Sequence, residues 1–482
     1  MITDFLLKSS QEFPNKDVLI FEDKQITYQD LFYNSSSLAN SLIKKTKSNS
    51  VVSLLLPNSI DFVISYFGII GSGNICHIIP PSISDSNLIN QVSVTEPSTI
   101  LSNSVFKQKL IRTGLFEKHN FLDISSFKYD KTSEFSEKKE SDSLGIILFS
   151  AGTTSSPKAI TLSHNNIENT TNRIINYLSI TNEDKDVISL PLSHSFGLGC
   201  LNCIIKAGGT AILHRNTINL PKIISSIKDF SATSFAGTPT TFQQIVENHK
   251  NHFEECIESI RYLLTNSAPM PKELIYQLLD ILKEKKLYTY YGLTEASRST
   301  FHLYKKSDTK INSVGKPLPE VKIKIVSEGK QCIPFQKGEV WIQGPHVTLG
   351  YWKNKSADQK LQNHWLLTGD IGYLDDEGYL FLVGRSDDMI NIGGDKVFPQ
   401  EIEEILGSID EIEDVGVKGI PDKLLGQVVK AFIVLRKDAQ LQEKDVIQFC
   451  SKKLENFKVP RQVVFLDDIP KNEQGKILRN KL

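Results

Sequence analysis

Short apolar runs bounded by polar turns recur through the first half of the chain: Val51 to Leu56, Leu144 to Phe149, Val187 to Leu190 and Thr210 to Leu213. Runs of this length, apolar throughout rather than alternating, predict strands covered on both faces. Between them lie segments with apolar residues at helical spacing, of which Asn165 to Leu178 is an example. Strand and helix in alternation predict α/β layers with largely parallel sheet. From Ser125 to Ser143 the chain turns to Ser, Lys, Glu and Asp, which predicts a solvated connector. Later the pattern changes. Val321 to Val326, Gly338 to Gln343 and Gly378 to Val383 are strand-like and set off by Gly, Pro and Asp turns, a smaller and more antiparallel β module. Beyond Gly384 a helix (Pro399 to Leu406), a strand (Val428 to Leu435) and a helix (Glu443 to Leu454) predict a small α+β domain. No repeat of 20 to 50 residues is present, which sets solenoids and propellers aside.

Composition adds exclusions. The 482 residues are 40% hydrophobic and 23% charged, enough for a sizeable core, and 55 Lys+Arg against 56 Asp+Glu leave no global field to gather nucleic acid or anionic membrane. The six cysteines are too sparse for a disulfide framework and point to a reducing compartment. Cys200 and Cys203 form a C-x-x-C, but no second pair completes a metal site, and their neighbours Leu198, Leu201, Ile204 and Ile205 read as core. The N-terminal residues lack the apolar run of a signal peptide. The stretch Phe62 to Pro81 is too interrupted by Ser, Gly, Asn and His to span a membrane. A cytoplasmic protein without integral membrane association is expected.

The chemistry begins at Phe149-Ser150-Ala151-Gly152-Thr153-Thr154-Ser155-Ser156-Pro157-Lys158-Ala159, directly after a predicted strand. Such a hydroxyl-rich turn can aim N–H and O–H donors at phosphate oxygens, with Lys158 as a compact positive charge. A plain Ser/Thr-rich surface loop would have the same composition. It is no Walker A, which needs Gly-Lys-Ser/Thr where Pro157-Lys158-Ala159 stands.

Further segments follow in order: Pro191-Leu192-Ser193-His194-Ser195-Phe196-Gly197, Tyr291-Gly292-Leu293-Thr294-Glu295, Gly338-Glu339-Val340 through Gly350-Tyr351-Trp352, Thr368-Gly369-Asp370, Gly384-Arg385-Ser386-Asp387-Asp388, and Pro470-Lys471-Asn472-Glu473-Gln474-Gly475-Lys476. In this sequence and order they resemble the adenylate-forming (AMP-binding) superfamily, which includes acyl- and aryl-CoA synthetases, peptide-synthetase adenylation domains and firefly-type luciferases. The likeness runs from Ile26-Thr27-Tyr28 almost to Leu482. It implies a large N-terminal adenylation domain over 1–383 with layered α/β sheets and a small barrel-like β module, a hinge at 384–387, and a small mobile α+β lid over 388–482.

The resemblance also implies roles. Ser150, Ala151, Gly152, Thr153, Thr154 and Ser155, with Lys158, match the ATP phosphate loop. Ser267, Ala268 and Pro269 face one side of the adenine, and Tyr290, Tyr291 and Gly292 match the segment on the other, Tyr291 as the stacking ring. Asp370 would take the ribose hydroxyls, as a carboxylate can, and Arg385 the ribose or phosphate. Thr294 would donate to the α-phosphate and Glu295 would hold Mg²⁺. Lys476 would stabilise the transition state of adenylate formation. Asp387 matches the hinge about which the lid turns, and Gly393-Gly394 the place where backbone meets a pantetheine arm, though a plain turn would read the same way. Ser155 and Ala159 stand where glycine is common, and a positive φ at either would be strained.

Fewer residues bear on the acid and the acceptor. Amino-acid adenylation domains carry an Asp just after a Phe for the substrate ammonium. Here Phe196 is followed by Gly197, which disfavours an amino acid. His194 matches the residue that gates or lines the acyl pocket. Ser195, Phe196, Phe235, Ala236, Gly237 and Tyr290 are its expected walls, mostly apolar or small, which suits a fatty or aromatic acid. The expected reaction joins a carboxylic acid to coenzyme A through an acyl-adenylate. A separate carrier protein's phosphopantetheine is the alternative acceptor, and a catalytically weak nucleotide- or acyl-binding protein the alternative class.

Overall fold

The computed structural model describes residues 1–135, 142–150, 157–472 and 475–482. Among these, the strands form four sheets of nine, seven, six and five strands.

The nine-stranded sheet runs in the order Lys316–Pro317, Ala296–Tyr304, Lys286–Leu293, Tyr262–Thr265, Ser234–Gly237, Lys185–Ile188, Thr210–Leu213, Asp17–Phe21, Lys24–Thr27. Its six central strands are parallel and its edges antiparallel. The seven-stranded sheet places Val51–Leu54 centrally, with Ile75–Ile78 and Thr99–Ser102 parallel beside it. Alternate residues of each strand enter different cores. Leu19 and Phe21 join the large core between the two sheets, whereas Ile20, between them, faces the helices outside the first sheet. That pleat explains the unbroken apolar runs. The inner layer of helices is Ile2–Glu12, Tyr28–Ile43, Ile60–Gly71, His164–Leu178 and Ser195–Lys206, and Cys200 and Cys203 are buried in it as free thiols. The helices Leu220–Asp229, Pro239–Asn248, Lys250–Cys256 and Lys272–Leu282 cover the first sheet from outside.

The six-stranded antiparallel sheet, from Lys322–Ser327 to Leu380–Arg385, is the expected β module. The last sheet pairs Ile390–Ile392, Asp395–Val397, Ile412–Asp422, Gly426–Leu435 and Gln462–Phe465 over a separate core of its own. Its long strand Ile412–Asp422 escaped the sequence reading because Glu413, Asp414, Lys418 and Asp422 break its apolar pattern. The connector 125–143 is less solvated than its composition predicts: Phe127, Tyr129 and Phe135 pack against the large core.

One buried side chain fastens the two large sheets at their carboxyl ends. Asn58, after the strand Val51–Leu54, donates Nδ2 to the carbonyls of Leu190 and His214 at 2.9 and 3.0 Å and accepts the Leu192 amide on Oδ1 at 2.8 Å. These bonds fix the Pro191–His194 turn. Asn58→Leu keeps the branched shape in a bulkier apolar side chain and leaves three backbone groups without the Asn58 partner, and should lower stability by about 2–4 kcal/mol. Urea unfolding and hydrogen exchange at the Leu192 amide measure this. An unchanged midpoint with unchanged protection would refute it.

Candidate active site

Of the sequence-predicted residues, Tyr291, Asp370, Arg385 and Lys476 come together where the first sheet meets the β module and the C-terminal residues. Asp370 stands in the strand Trp365–Leu374 and Arg385 ends Leu380–Arg385, which pairs with it so that the two lie opposite one another. Arg385 Nη1 donates to Asp370 Oδ1 at 2.9 Å. From the first sheet, Tyr291 Oη donates to Asp370 Oδ2 at 2.5 Å. Burial and the adjacent carboxylate push the Tyr291 phenol well above its usual range, so it remains a donor. The carboxylate expected to take ribose hydroxyls is thus oriented by one group on each oxygen.

Lys476 comes to the same place from the C-terminal residues. Its loop is closed by mutual bonds with Asn472, and a bridge joins Lys471 to Ile477. Burial holds the Lys476 ammonium below the ordinary lysine range, with Arg385 adding to the depression and Asp370 and Asp388 opposing it. Asp388 in turn faces Arg479, whose guanidinium is gripped by Glu403 at 2.5 and 2.9 Å.

A second cluster lies at the phosphate loop. The strands Leu144–Phe149 and Ala159–Ser163 pair antiparallel, so the loop tips a hairpin rather than leading into a helix. Its neck is closed by Ser150 N on the Lys158 carbonyl at 3.0 Å and Lys158 N on Ser150 Oγ at 3.1 Å. Ala151, Gly152, Thr153, Thr154 and Ser155 lie outside the described residues. Ala159 takes ordinary extended backbone, so its lack of glycine costs nothing. Lys158 Nζ sits 5.8 Å from the centroid of the Tyr351 ring, and Tyr351 Oη donates to Glu295 Oε1 at 3.0 Å. Thr348 N also holds the Glu295 carbonyl at 2.7 Å. One phenol therefore joins the expected phosphate lysine to the expected metal carboxylate. Half-exposed Glu295 keeps oxygen lone pairs for a hard cation. Thr294 shares its turn after Lys286–Leu293.

Ser267 adopts φ +89°, the left-handed region, where a side chain costs roughly 1–2 kcal/mol relative to glycine. Such strain beside Ala268 and Pro269, at the expected adenine edge, is of the kind that sites retain. His194 is half-buried and precedes helix Ser195–Lys206, its carbonyl accepting the Leu198 amide. Gly393 and Gly394, at φ +61° and +103°, form the two-residue turn between Ile390–Ile392 and Asp395–Val397. Asp387 is exposed beside Arg385, 3.8 Å away.

The expected acyl pocket needs two corrections. Phe235 points to the opposite face of the sheet, into the core around Phe242, because the pleat sends it away from Ala236. Arg298, not anticipated at all, lies fully buried among the remaining walls, with its guanidinium over the rings of Tyr290 and Phe196. Tyr351 and Asn58 were also missed. Tyr351 stands inside the Gly350-Tyr351-Trp352 motif, which was the available signal, on a short strand paired with Ala159–Ser163.

A family model for the AMP-binding enzyme matches residues 6–352, and the model for the AMP-binding enzyme C-terminal domain matches 401–476. A 2-succinylbenzoate–CoA ligase of Bacillus subtilis is 29% identical over 99% of this chain and 97% of its own length. A long-chain-fatty-acid–CoA ligase of the same organism is 29% identical over 100% of this chain and 94% of its own. The structure of the B. subtilis o-succinylbenzoate CoA synthetase (MenE) with its acyl-adenylate intermediate superposes with a TM-score of 0.90, at 28% identity over 99% of this chain and 97% of that one. A doubly substituted form of that enzyme with a product analogue, OSB-NCoA, gives 0.74 at 28% identity over 99% and 98%. With both family regions present and the full length matched, the chain belongs to the AMP-binding enzyme family.

Proposed function

We propose that the chain is an AMP-forming acid–CoA ligase that converts a carboxylic acid and ATP to an acyl-adenylate and pyrophosphate, then transfers the acyl group to CoA. The observation that carries this reading is the convergence of Lys476, from the C-terminal residues, on the Asp370–Arg385 pair. An ammonium, a guanidinium and an oriented carboxylate at one place suit a ribose-phosphate and the charge that develops at an α-phosphate under attack.

In this reading Asp370 binds the ribose hydroxyls and Arg385 orients it. The segments Ser267-Ala268-Pro269 and Tyr290-Tyr291-Gly292 border the adenine, Thr294 donates to the α-phosphate, and His194 stands where the acyl group enters. Ser150, Ala151, Gly152, Thr153, Thr154 and Ser155, with Lys158, hold the β- and γ-phosphates, and Glu295 holds Mg²⁺. That ion, when bound, supplies positive charge to the leaving pyrophosphate. Lys476, desolvated in its pocket, meets the carboxylate and α-phosphate at full strength because little water screens it.

We take 1–383 as the adenylation domain, 384–387 as the hinge and 388–482 as the lid. Across the lid interface Lys272–Glu404 and Arg436–Glu247, at 3.8 and 3.7 Å, are exposed pairs. Each is worth only about 0–1 kcal/mol, a link that a turn at Asp387 can break. Such a turn removes Lys476 and brings the Gly393-Gly394 hairpin to the adenylate for thioester formation. The higher TM-score against the adenylate-bound relative than against its product-analogue form supports an adenylation arrangement here.

The relatives act on CoA by name, so we read the acceptor as CoA. We read the acid as aromatic rather than long-chain, since Arg298 crosses the expected pocket. No helix among the described residues is long and apolar enough to cross a membrane. The free cysteines fit a reducing cytoplasm.

The reading is tested by incubating the chain with ATP, Mg²⁺, CoA and a panel of acids. AMP and acyl-CoA are expected, and adenylate without thioester would overturn the CoA assignment. Lys476→Ala should slow pyrophosphate release by about 10²–10³-fold, and undiminished release would remove Lys476 from the first step. Asp387→Pro should depress thioester formation while sparing pyrophosphate release, an expectation that equal losses contradict. The Lys476 ammonium is charged below its pKa, and burial lowers that pKa. Adenylation should therefore lose rate on the alkaline side at lower pH than an ordinary lysine would impose. A pH–rate profile of pyrophosphate release measures this, and a flat alkaline limb up to the ordinary lysine range would disprove it.

A further inference from the structure

Among the residues expected to wall the acyl pocket lies a buried arginine with one edge of its guanidinium incompletely satisfied. Arg298 is 1% exposed and extends from the strand Ala296–Tyr304 to the start of helix Ser195–Lys206. Gly199 makes room for it, since a Cβ there would collide with Arg298 Nη1. Nη1 donates to the Ser195 carbonyl at 3.1 Å and to Ser297 Oγ at 3.2 Å, and Nη2 to the Phe196 carbonyl at 2.9 Å. Nη2 also meets Cys200 Sγ at 3.7 Å, a weak acceptor, while Nε has no hydrogen-bond partner among the described residues.

The Nε and Nη2 groups form one edge of a guanidinium, and elsewhere in this protein that edge grips a carboxylate. Arg112 holds Asp85 through Nε and Nη2 at 2.7 and 2.8 Å, and Arg261 holds Asp184 through the same atoms at 2.9 and 2.9 Å. In Arg298 this edge has no carboxylate. No ion pair of the described residues includes it, although a buried charge without a partner costs several kcal/mol. Asp186 lines the same small cavity, with Cys200, Cys203, Ala236 and Tyr262. It is no internal counter-ion at contact distance: it accepts from Ser234 Oγ at 2.7 Å, and burial pushes its carboxyl up to about 7.

We infer that Arg298 receives a second carboxylate on the acid substrate, so that this ligase selects compact dicarboxylic acids and activates the carboxyl far from Arg298. The inference rests on the ligase reading above. The distal carboxylate would take the Nε–H and displace the thiol from Nη2, giving the bidentate pair that Arg112 and Arg261 already make. Tyr290 and Phe196 keep water from the pair, which makes the missing partner of an uncharged acid costly. A site of this kind rejects a ligand lacking the group more sharply than an apolar pocket rejects a methylene.

The test is ATP–pyrophosphate exchange by the full chain with succinate, glutarate, adipate and an aryl dicarboxylate, each beside the monoacid in which methyl replaces the distal carboxylate. Wild type should favour at least one dicarboxylate over its monoacid by about 10²-fold or more in kcat/KM. Arg298→Met should abolish that preference through KM, and Arg298→Lys should restore part of it. If the wild type favours the monoacids, the inference is overturned and the ligase reading stands, an outcome that needs no variant to fold. If folded Arg298→Met, checked by circular dichroism, keeps the dicarboxylate preference, Arg298 is only a strut between strand and helix. Exchange with no acid in the panel would overturn both readings.

Discussion

The site depends on the clasp around Asp370. Its two oxygens take a phenol from the nine-stranded sheet and a guanidinium from the β module, and the ammonium of the C-terminal domain settles beside them. Two sheets that share no strand, and the loop that carries Lys476, are brought together around one carboxylate. Charge explains why the arrangement holds without a continuous core. Arg385 and Lys476 repel each other in a partly desolvated space, and Asp370 and Asp388 offset that repulsion. In the proposed reading, the site is balanced before any ligand arrives for the addition of anionic phosphate.

Around the clasp, positions are set by interactions of unequal strength. Asn58 fixes the Pro191–His194 turn through backbone bonds in a dry interior, where each unmatched group is expensive. The C-terminal domain has its own core and meets the rest partly through exposed ion pairs, where water competes. Rigidity therefore belongs to the substrate-binding framework and looseness to the part that is proposed to turn.

Much of this was legible in the sequence, and the exceptions share a physical cause. Motifs that touch a nucleotide need particular chemistry at consecutive positions, so Asp370, Glu295 and Arg385 could be named as candidates from their neighbours, and the buried parallel strands announced themselves as continuous apolar runs. Residues that work through the third dimension gave no such signal. Arg298 reads as a surface arginine until Gly199, about a hundred positions earlier, is seen to lie under its guanidinium. Phe235 was placed on the wrong face because both faces of its strand are apolar, so the alternation that sorts inside from outside is absent. Ile412–Asp422 hid its strand character behind charges on its open face.

The hairpin form of the phosphate loop also decides where its positive potential comes from. A loop that opens a helix borrows a fixed dipole from the aligned peptide groups behind it, a partial positive charge concentrated at the first turn. Here the segment after Lys158 is the strand Ala159–Ser163, whose peptide dipoles largely cancel against those of its neighbour. In the proposed reading, attraction for the phosphates then comes from the N–H and O–H donors of the hydroxyl-rich loop, from the charge of Lys158 and from a cation held at Glu295 rather than from a helix dipole. A grip on the triphosphate built in this way is tied to ionic strength and to free divalent cation, so a protein that binds as proposed reads the electrolyte of its surroundings as well as the concentration of nucleotide.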